Sequence, residues 1–158
     1  MNKKIFVLLL LLFSSNAYSE TLSGPRFGFT YLDSNTTKLV GENFSIISPL
    51  ITQFGWQFER KFLTTSSGPE GITALVPLVG GVEQGVFLPS ISWLTGLRLP
   101  NGLEFAVGPN VSLRGGSIAA TVGHTSKFGE LYLPVNLGLV ASKDGVRISF
   151  LFGFNSNI

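Results

Sequence analysis

The chain has 158 residues, with 11 lysines and arginines against 9 acidic residues, and no cysteine. The missing cysteine excludes disulfide staples, thiolate chemistry and cysteine-ligated metals. No basic run with interleaved aromatics occurs, which excludes the usual nucleic-acid surface, and the length, with no linker or repeat to divide it, suits one domain.

Met1-Asn2-Lys3-Lys4 forms a short basic head, and an unbroken apolar run over 5–13 follows it. Then comes 14–19, with the small residues Ala17 and Ser19 placed three and one before Glu20. This is the order of a secretory signal cut before Glu20. A spanning helix needs roughly 20 apolar residues, so the short run does not serve as an anchor. We expect a signal peptide at 1–19 and a mature domain at 20–158. Lys3 and Lys4 leave with the signal, so the mature chain holds 9 basic and 9 acidic residues. The basic pI is therefore no clue to a partner.

Beyond residue 20 no sustained 3.6-residue apolar period is visible, and glycine and proline interrupt the chain too often for long helices. Alternation with period two recurs instead, as in strands with unlike faces. Phe27, Phe29 and Tyr31 alternate with Arg26, Gly28 and Thr30. Phe54, Trp56 and Phe58 oppose Gln53, Gly55, Gln57 and Glu59. Leu103, Phe105 and Val107 oppose Glu104, Ala106 and Gly108, and Val146, Ile148, Phe150, Phe152 and Phe154 oppose Arg147, Ser149 and Leu151. Turn signals at 100–102, 114–116 and 142–145 separate these runs. The pattern predicts eight strands, over 24–32, 46–60, 71–81, 86–99, 103–113, 117–125, 130–141 and 145–155, with a loop at 33–45. Most have about the 9–11 residues of a tilted membrane strand. An even number joined by hairpins suits a closed antiparallel up-and-down β-barrel.

Two barrels fit these strands. A periplasmic lipocalin-like barrel would turn its large apolar side chains inward around a hydrophobic ligand. A transmembrane barrel would turn them to lipid and fill its lumen with the polar face. That polar face is rich in Gly, Ser, Asn, Gln and Ala, whereas a water-facing surface carries roughly a quarter to a third charged residues. Small side chains also suit the narrow, filled interior of eight strands. The membrane barrel is the better fit. Its expected lumen charge network is Arg26, Glu59, Glu83, Arg98, Glu104, Arg114 and Arg147, and its expected interfacial aromatics are Trp56, Trp93, Tyr31 and Tyr132. Pro77, Pro109 and Pro134 lie inside strands and call for bulges.

On these amphipathic strands, and on a last strand Val146–Phe154 that looks like a barrel-assembly signal, the chain resembles the small eight-stranded outer-membrane β-barrel proteins. The resemblance covers the mature chain without selecting a subfamily. It implies outer-membrane lipid and the barrel-assembly machinery as partners and a structural or interaction role. No cofactor, metal or catalysis is expected. One motif offers a catalytic alternative. His124-Thr125-Ser126 is similar to the His-x-Ser of outer-membrane lipid A deacylases, with Glu130 as the nearest acid. In a strand, residues i and i+2 share a face, so the histidine can activate the serine hydroxyl. A three-residue motif arises easily by chance, and a polar strand end is the preferred reading. A lone histidine also falls short of a metal site.

Overall fold

The computed structural model describes residues 20–44 and 48–158. The expected signal at 1–19 lies outside them, as does the opening of the strand expected from 46. Eight antiparallel strands follow one another around a barrel: β1 (Thr21–Leu32), β2 (Leu50–Leu63), β3 (Glu70–Gly80), β4 (Leu88–Arg98), β5 (Leu103–Ser112), β6 (Gly115–Phe128), β7 (Leu131–Ser142) and β8 (Gly145–Gly153). Each pairs with the next, and β8 pairs with β1, so the sheet closes. Closure leaves no strand edge unpaired, which hydrocarbon demands. The turns at 64–69, 99–102 and 129–130 share one end with residue 20, here the N-terminal end. The described residues between β1 and β2, with the connections at 81–87, 113–114 and 143–144, form the other.

The two faces of most strands are chemically unlike. Phe27, Phe29, Phe54, Trp56, Phe58, Phe105, Phe150 and Phe152 are exposed on the outer wall, while Arg26, Thr30, Gln53, Glu59, Arg98, Glu104, Asn110 and Ser149 are buried inside. This inverts the water-soluble arrangement and is the reverse of a lipocalin-like barrel. An apolar outer band over a polar interior is the pattern of a membrane barrel.

Backbone proximity explains several of the inward glycines. A Cβ on Gly28 would fall 1.9 Å from the Phe150 carbonyl oxygen, and one on Gly108 would fall 1.8 Å from that of Trp93. Neighbouring strands approach too closely there for any side chain.

The prolines differ from expectation. Pro77 and Pro109 interrupt their ladders without a bulge: the β2–β3 register runs from Gly55–Leu78 to Phe58–Leu75 unshifted, and β4–β5 from Ser92–Asn110 to Thr95–Val107 likewise. Pro134 lies where the β7–β8 ladder ends, one step beyond Val135–Phe152, and that register resumes unchanged at the Tyr132–Asn155 bridge. A residue without an amide proton costs a rung, and the flanking pairs hold register. The described register shift lies elsewhere, between Lys61 and Leu63. On its other side β8 stops at Arg26–Gly153 and resumes in the same register as β9 (Ser156–Asn157) at Ser23–Ser156. Pro25 and Pro134 flank that gap on the two neighbouring strands.

The expected loop at 33–45 contains a helix, α1 (Ser34–Phe44). Asp33 caps it, its carboxylate accepting the Thr36 amide at 2.8 Å, a strong N-cap arrangement. The same carboxylate accepts the Val146 amide at 3.1 Å and so ties the helix to β8. Thr36 and Val40, one turn apart, face inward. Val40 joins Leu32 and Ile51, with Val86 and Leu88 against them, in an apolar cluster at this end of the barrel, which we call the helix end.

Candidate functional site

The lumen is layered. Towards the N-terminal end lies an ionic layer, built because inward positions of four strands bring Arg26, Glu59, Arg98 and Glu104 to one level. Arg98 donates Nη1 and Nη2 to the two Glu59 carboxylate oxygens at 2.8 and 2.9 Å. Its Nε and Nη2 reach Glu104 Oε2 at 2.8 and 2.7 Å. Glu104 also accepts from Thr125 at 3.0 Å and Asn136 at 2.6 Å. Gln57 extends the layer, donating to Glu59 at 2.9 Å and accepting from Arg26 Nε at 3.1 Å. Two cations thus meet two carboxylates, and the layer is neutral, as a buried ionic cluster must be to avoid a large desolvation cost.

An apolar layer follows, of Ala74, Val76 and Leu78 with Leu94 and Leu151 packed against them. Small voids of ≈ 50 and ≈ 40 Å³ lie beside it, sharing Val76, Leu94 and Leu151 as walls. The lumen is filled by side chains rather than open.

A second polar layer lies beyond, towards the helix end. Thr30 donates to Gln53 at 2.6 Å and shares a 2.6 Å hydrogen bond with Ser149. Arg147 Nη2 donates to Asn110 Oδ1 at 2.9 Å, and Asn110 Nδ2 donates to Ser92 at 2.9 Å. Arg114, in the β5–β6 turn, pairs with Asp144 at 3.1 Å. Above this layer a cavity of ≈ 60 Å³ opens beneath α1, and Arg114, Lys143, Asp144 and Arg147 line it.

The expected lumen network therefore divides in two, and one member leaves it. Arg26, Glu59, Arg98 and Glu104 come together, whereas Arg147 and Arg114 sit apart at the helix end. Glu83 is not in the lumen at all. It lies exposed in a short 3₁₀ turn, Val82–Gln84, between Gly81 and Gly85, both in the left-handed region. There it accepts from the Thr52 amide at 2.9 Å and from the Thr52 hydroxyl. The two glycines break the strand, so alternation cannot be counted through to Glu83. Tyr132 is also displaced from its expected interfacial role: it is buried inside the barrel and donates to Glu20 at 3.0 Å. Sequence reading missed Lys61, which is buried and bridges Glu20 at 2.6 Å and Glu70 at 3.2 Å. The alternation Gln57, Glu59, Lys61 pointed to it, but the predicted strand stopped at 60.

His124 and Ser126 lie on β6 near the N-terminal end. His124 Nε2 is 2.9 Å from the Asn101 carbonyl, which only accepts, so Nε2 carries the proton. Nδ1 then accepts from the Ser126 hydroxyl at 3.3 Å. Glu130 is exposed in the β6–β7 turn and makes no described hydrogen bond to His124. The pair has a backbone carbonyl, not a carboxylate, as its orienting group.

A closed eight-stranded barrel with an apolar outer wall and a polar, plugged lumen has the architecture of the small outer-membrane β-barrels. The chain is similar in fold to the crystal structure of Ail, the attachment invasion locus protein of Yersinia pestis, with a TM-score of 0.54 and 12% identity over 89% of this chain and 97% of that one. A second Ail structure, in complex with the heparin analogue sucrose octasulfate, matches with the same score and coverage at 11% identity. At such identity the likeness concerns the fold. No family model and no curated protein matches the sequence.

Proposed function

We propose that the chain is cut before Glu20 and inserts into a bacterial outer membrane as a closed barrel with a structural or interaction role and no catalysis. The N-terminal end lies in the periplasm and the helix end faces outward. The observation that carries this reading is the inverted burial, with phenylalanines on the outer wall and a charge-balanced ionic layer inside. Such a wall is stable only against lipid. The apolar layer around Val76, Leu94 and Leu151 supports a barrel that does not conduct. Assembly through the barrel-assembly machinery accords with the amphipathic β8 strand.

Fractionation tests the reading. The protein is expected to stay with membranes after osmotic shock and to need detergent for release. It is also expected to migrate faster unheated than boiled on a denaturing gel, as a closed barrel does. Release by osmotic shock alone overturns the proposal and returns the chain to the periplasm.

A further inference from the structure

The two charged regions of the lumen balance differently. In the ionic layer, two arginines meet two carboxylates. Around the cavity beneath α1, three cations, Arg114, Lys143 and Arg147, meet one carboxylate, Asp144. Asp144 is engaged by Arg114. Asp33, at the N-cap of α1, spends its carboxylate on the amides of Thr36 and Val146. Arg147 is left with a neutral amide oxygen as its described partner, although a guanidinium carries five N–H donors. It lines both the cavity and the void beneath it, so its remaining donors face these two spaces. A half-buried cation without a counter-charge is completed by an anion or by water.

We propose that this cavity is a binding site for a tetrahedral oxyanion of the sulfate or phosphate type. Arg147 forms its floor, and Arg114 and Lys143 supply charge at its rim. The size agrees. A water needs at least about 10–15 Å³ of such space, so ≈ 60 Å³ holds about four water-sized atoms, the scale of one such ion. The donor set agrees as well, because a guanidinium fork matches two oxygens of an oxyanion. The hydroxyls of Ser90 and Ser117 lie on the same lining. The cavity opens at the barrel mouth and is separated from lipid by the wall, so the anion comes from solution, free or at the end of a sugar chain. The site is a property of the folded barrel. Only its exposure outside the cell rests on the orientation proposed above.

The test uses the mature barrel folded in an uncharged maltoside detergent and titrated with sodium sulfate, sodium phosphate or a monosaccharide 6-sulfate at constant ionic strength. Backbone amide shifts of 114–117 and 143–147 are followed by NMR. Saturable shifts confined to these residues are expected with the inorganic ions. A sugar sulfate that binds more tightly than sulfate identifies a carried group, and one that does not bind identifies the free ion. Arg147→Gln is expected to weaken binding at least about tenfold, since it removes a charged hydrogen-bonding partner. Lys143→Gln, at an exposed turn with no structural bond to lose, is expected to weaken it several-fold, and Lys127→Gln at the opposite end is expected to leave it unchanged. Unheated gel mobility reports closure of each variant, and Lys143→Gln decides the matter if Arg147→Gln does not close. Linear, unsaturated shifts, or equal affinity in Lys143→Gln and wild type, overturn the site. Labelling a Lys143→Cys variant on intact cells with an impermeant maleimide tests orientation separately: protection there refutes the outward placement and leaves the binding result standing.

Discussion

Arg98 is the centre of the ionic layer, and replacing it by methionine isolates what the layer contributes. Methionine keeps most of the stem volume, so packing changes little. What it removes is the only guanidinium that bonds both Glu59 and Glu104 directly. Both carboxylates are almost completely buried, at 1% and 6% exposure. Arg26 then faces two negative charges, and its described link to them runs through Gln57 to Glu59 alone. Removing one partner of a buried ion pair costs about 3–5 kcal/mol, because the remaining charge is uncompensated. That is roughly a hundredfold to several thousandfold in the folding equilibrium. A double variant, Arg98→Met with Glu59→Gln, restores neutrality and is expected to recover most of the loss. The assay is urea unfolding in detergent micelles, followed by the fluorescence of Trp56 and Trp93 and checked by unheated gel mobility. If Arg98→Met unfolds with the wild-type midpoint, or if the double variant is no more stable than the single one, charge balance is not what holds this layer.

Gly28→Val places side-chain atoms against the Phe150 carbonyl, where a Cβ already falls at 1.9 Å, so β1 and β8 cannot keep their register. We expect a loss of about 1–3 kcal/mol or failure to close, read as loss of the fast-migrating unheated band. Asp33→Ala removes the cap of α1, and faster trypsin cleavage at Lys38 is expected. Hydrogen bonds from the Thr36 side chain and amide, and then from the Val146 amide, hold the Asp33 carboxyl below its ordinary range. A depressed folded value means that the contribution to α1 docking is complete above about pH 4 and is lost only as the pH falls through the folded value. The Thr36 and Val146 amide resonances are expected to titrate together, with a midpoint below about 3.9. His124→Ala and Ser126→Ala are expected to leave the lipid A mass spectrum of expressing cells identical to that with the wild-type protein; a deacylated species seen only with the wild type refutes the non-catalytic reading.

The barrel was legible because lipid makes the two faces of each strand chemically opposite. Phenylalanine at every second position, as in Phe150 and Phe152, marks the outer wall, and the residues between them mark the lumen. The same alternation placed Arg26, Glu59, Arg98 and Glu104 inside, but it carries no information on partners. Arg98 meets Glu59 across 39 positions of sequence, and only closure of the sheet creates that contact. Alternation also failed wherever the chain left the strand. Glu83 turns outward between two left-handed glycines, and Lys61 lies just past the predicted end of β2. Helix α1 was hidden because its first seven residues hold two apolar side chains, Leu39 and Val40, and among its described side chains it buries a narrow face, Thr36 and Val40. Its clearest signal, Asp33 as an N-cap residue without a Glu or Gln three positions on, is too weak to announce a helix without the tertiary contact to β8.

The apolar layer gives the two charged regions separate physical roles. Val76, Leu94 and Leu151 stand between the neutral ionic cluster and the cationic cavity beneath α1, and both neighbouring voids end on them. Bonds run within each region, from Arg26 through Glu59 to Glu104 on one side and from Arg147 to Asn110 and Ser92 on the other, and no described hydrogen bond joins the two. Charges that share no partners and are divided by packed side chains behave additively. Arg98→Met is therefore expected to lower the unfolding midpoint while sulfate affinity at the helix end stays at its wild-type value, and Lys143→Gln to do the reverse. A fall in sulfate affinity in a still-closed Arg98→Met barrel would mean that the layers communicate through the wall, and that the lumen acts as one electrostatic unit.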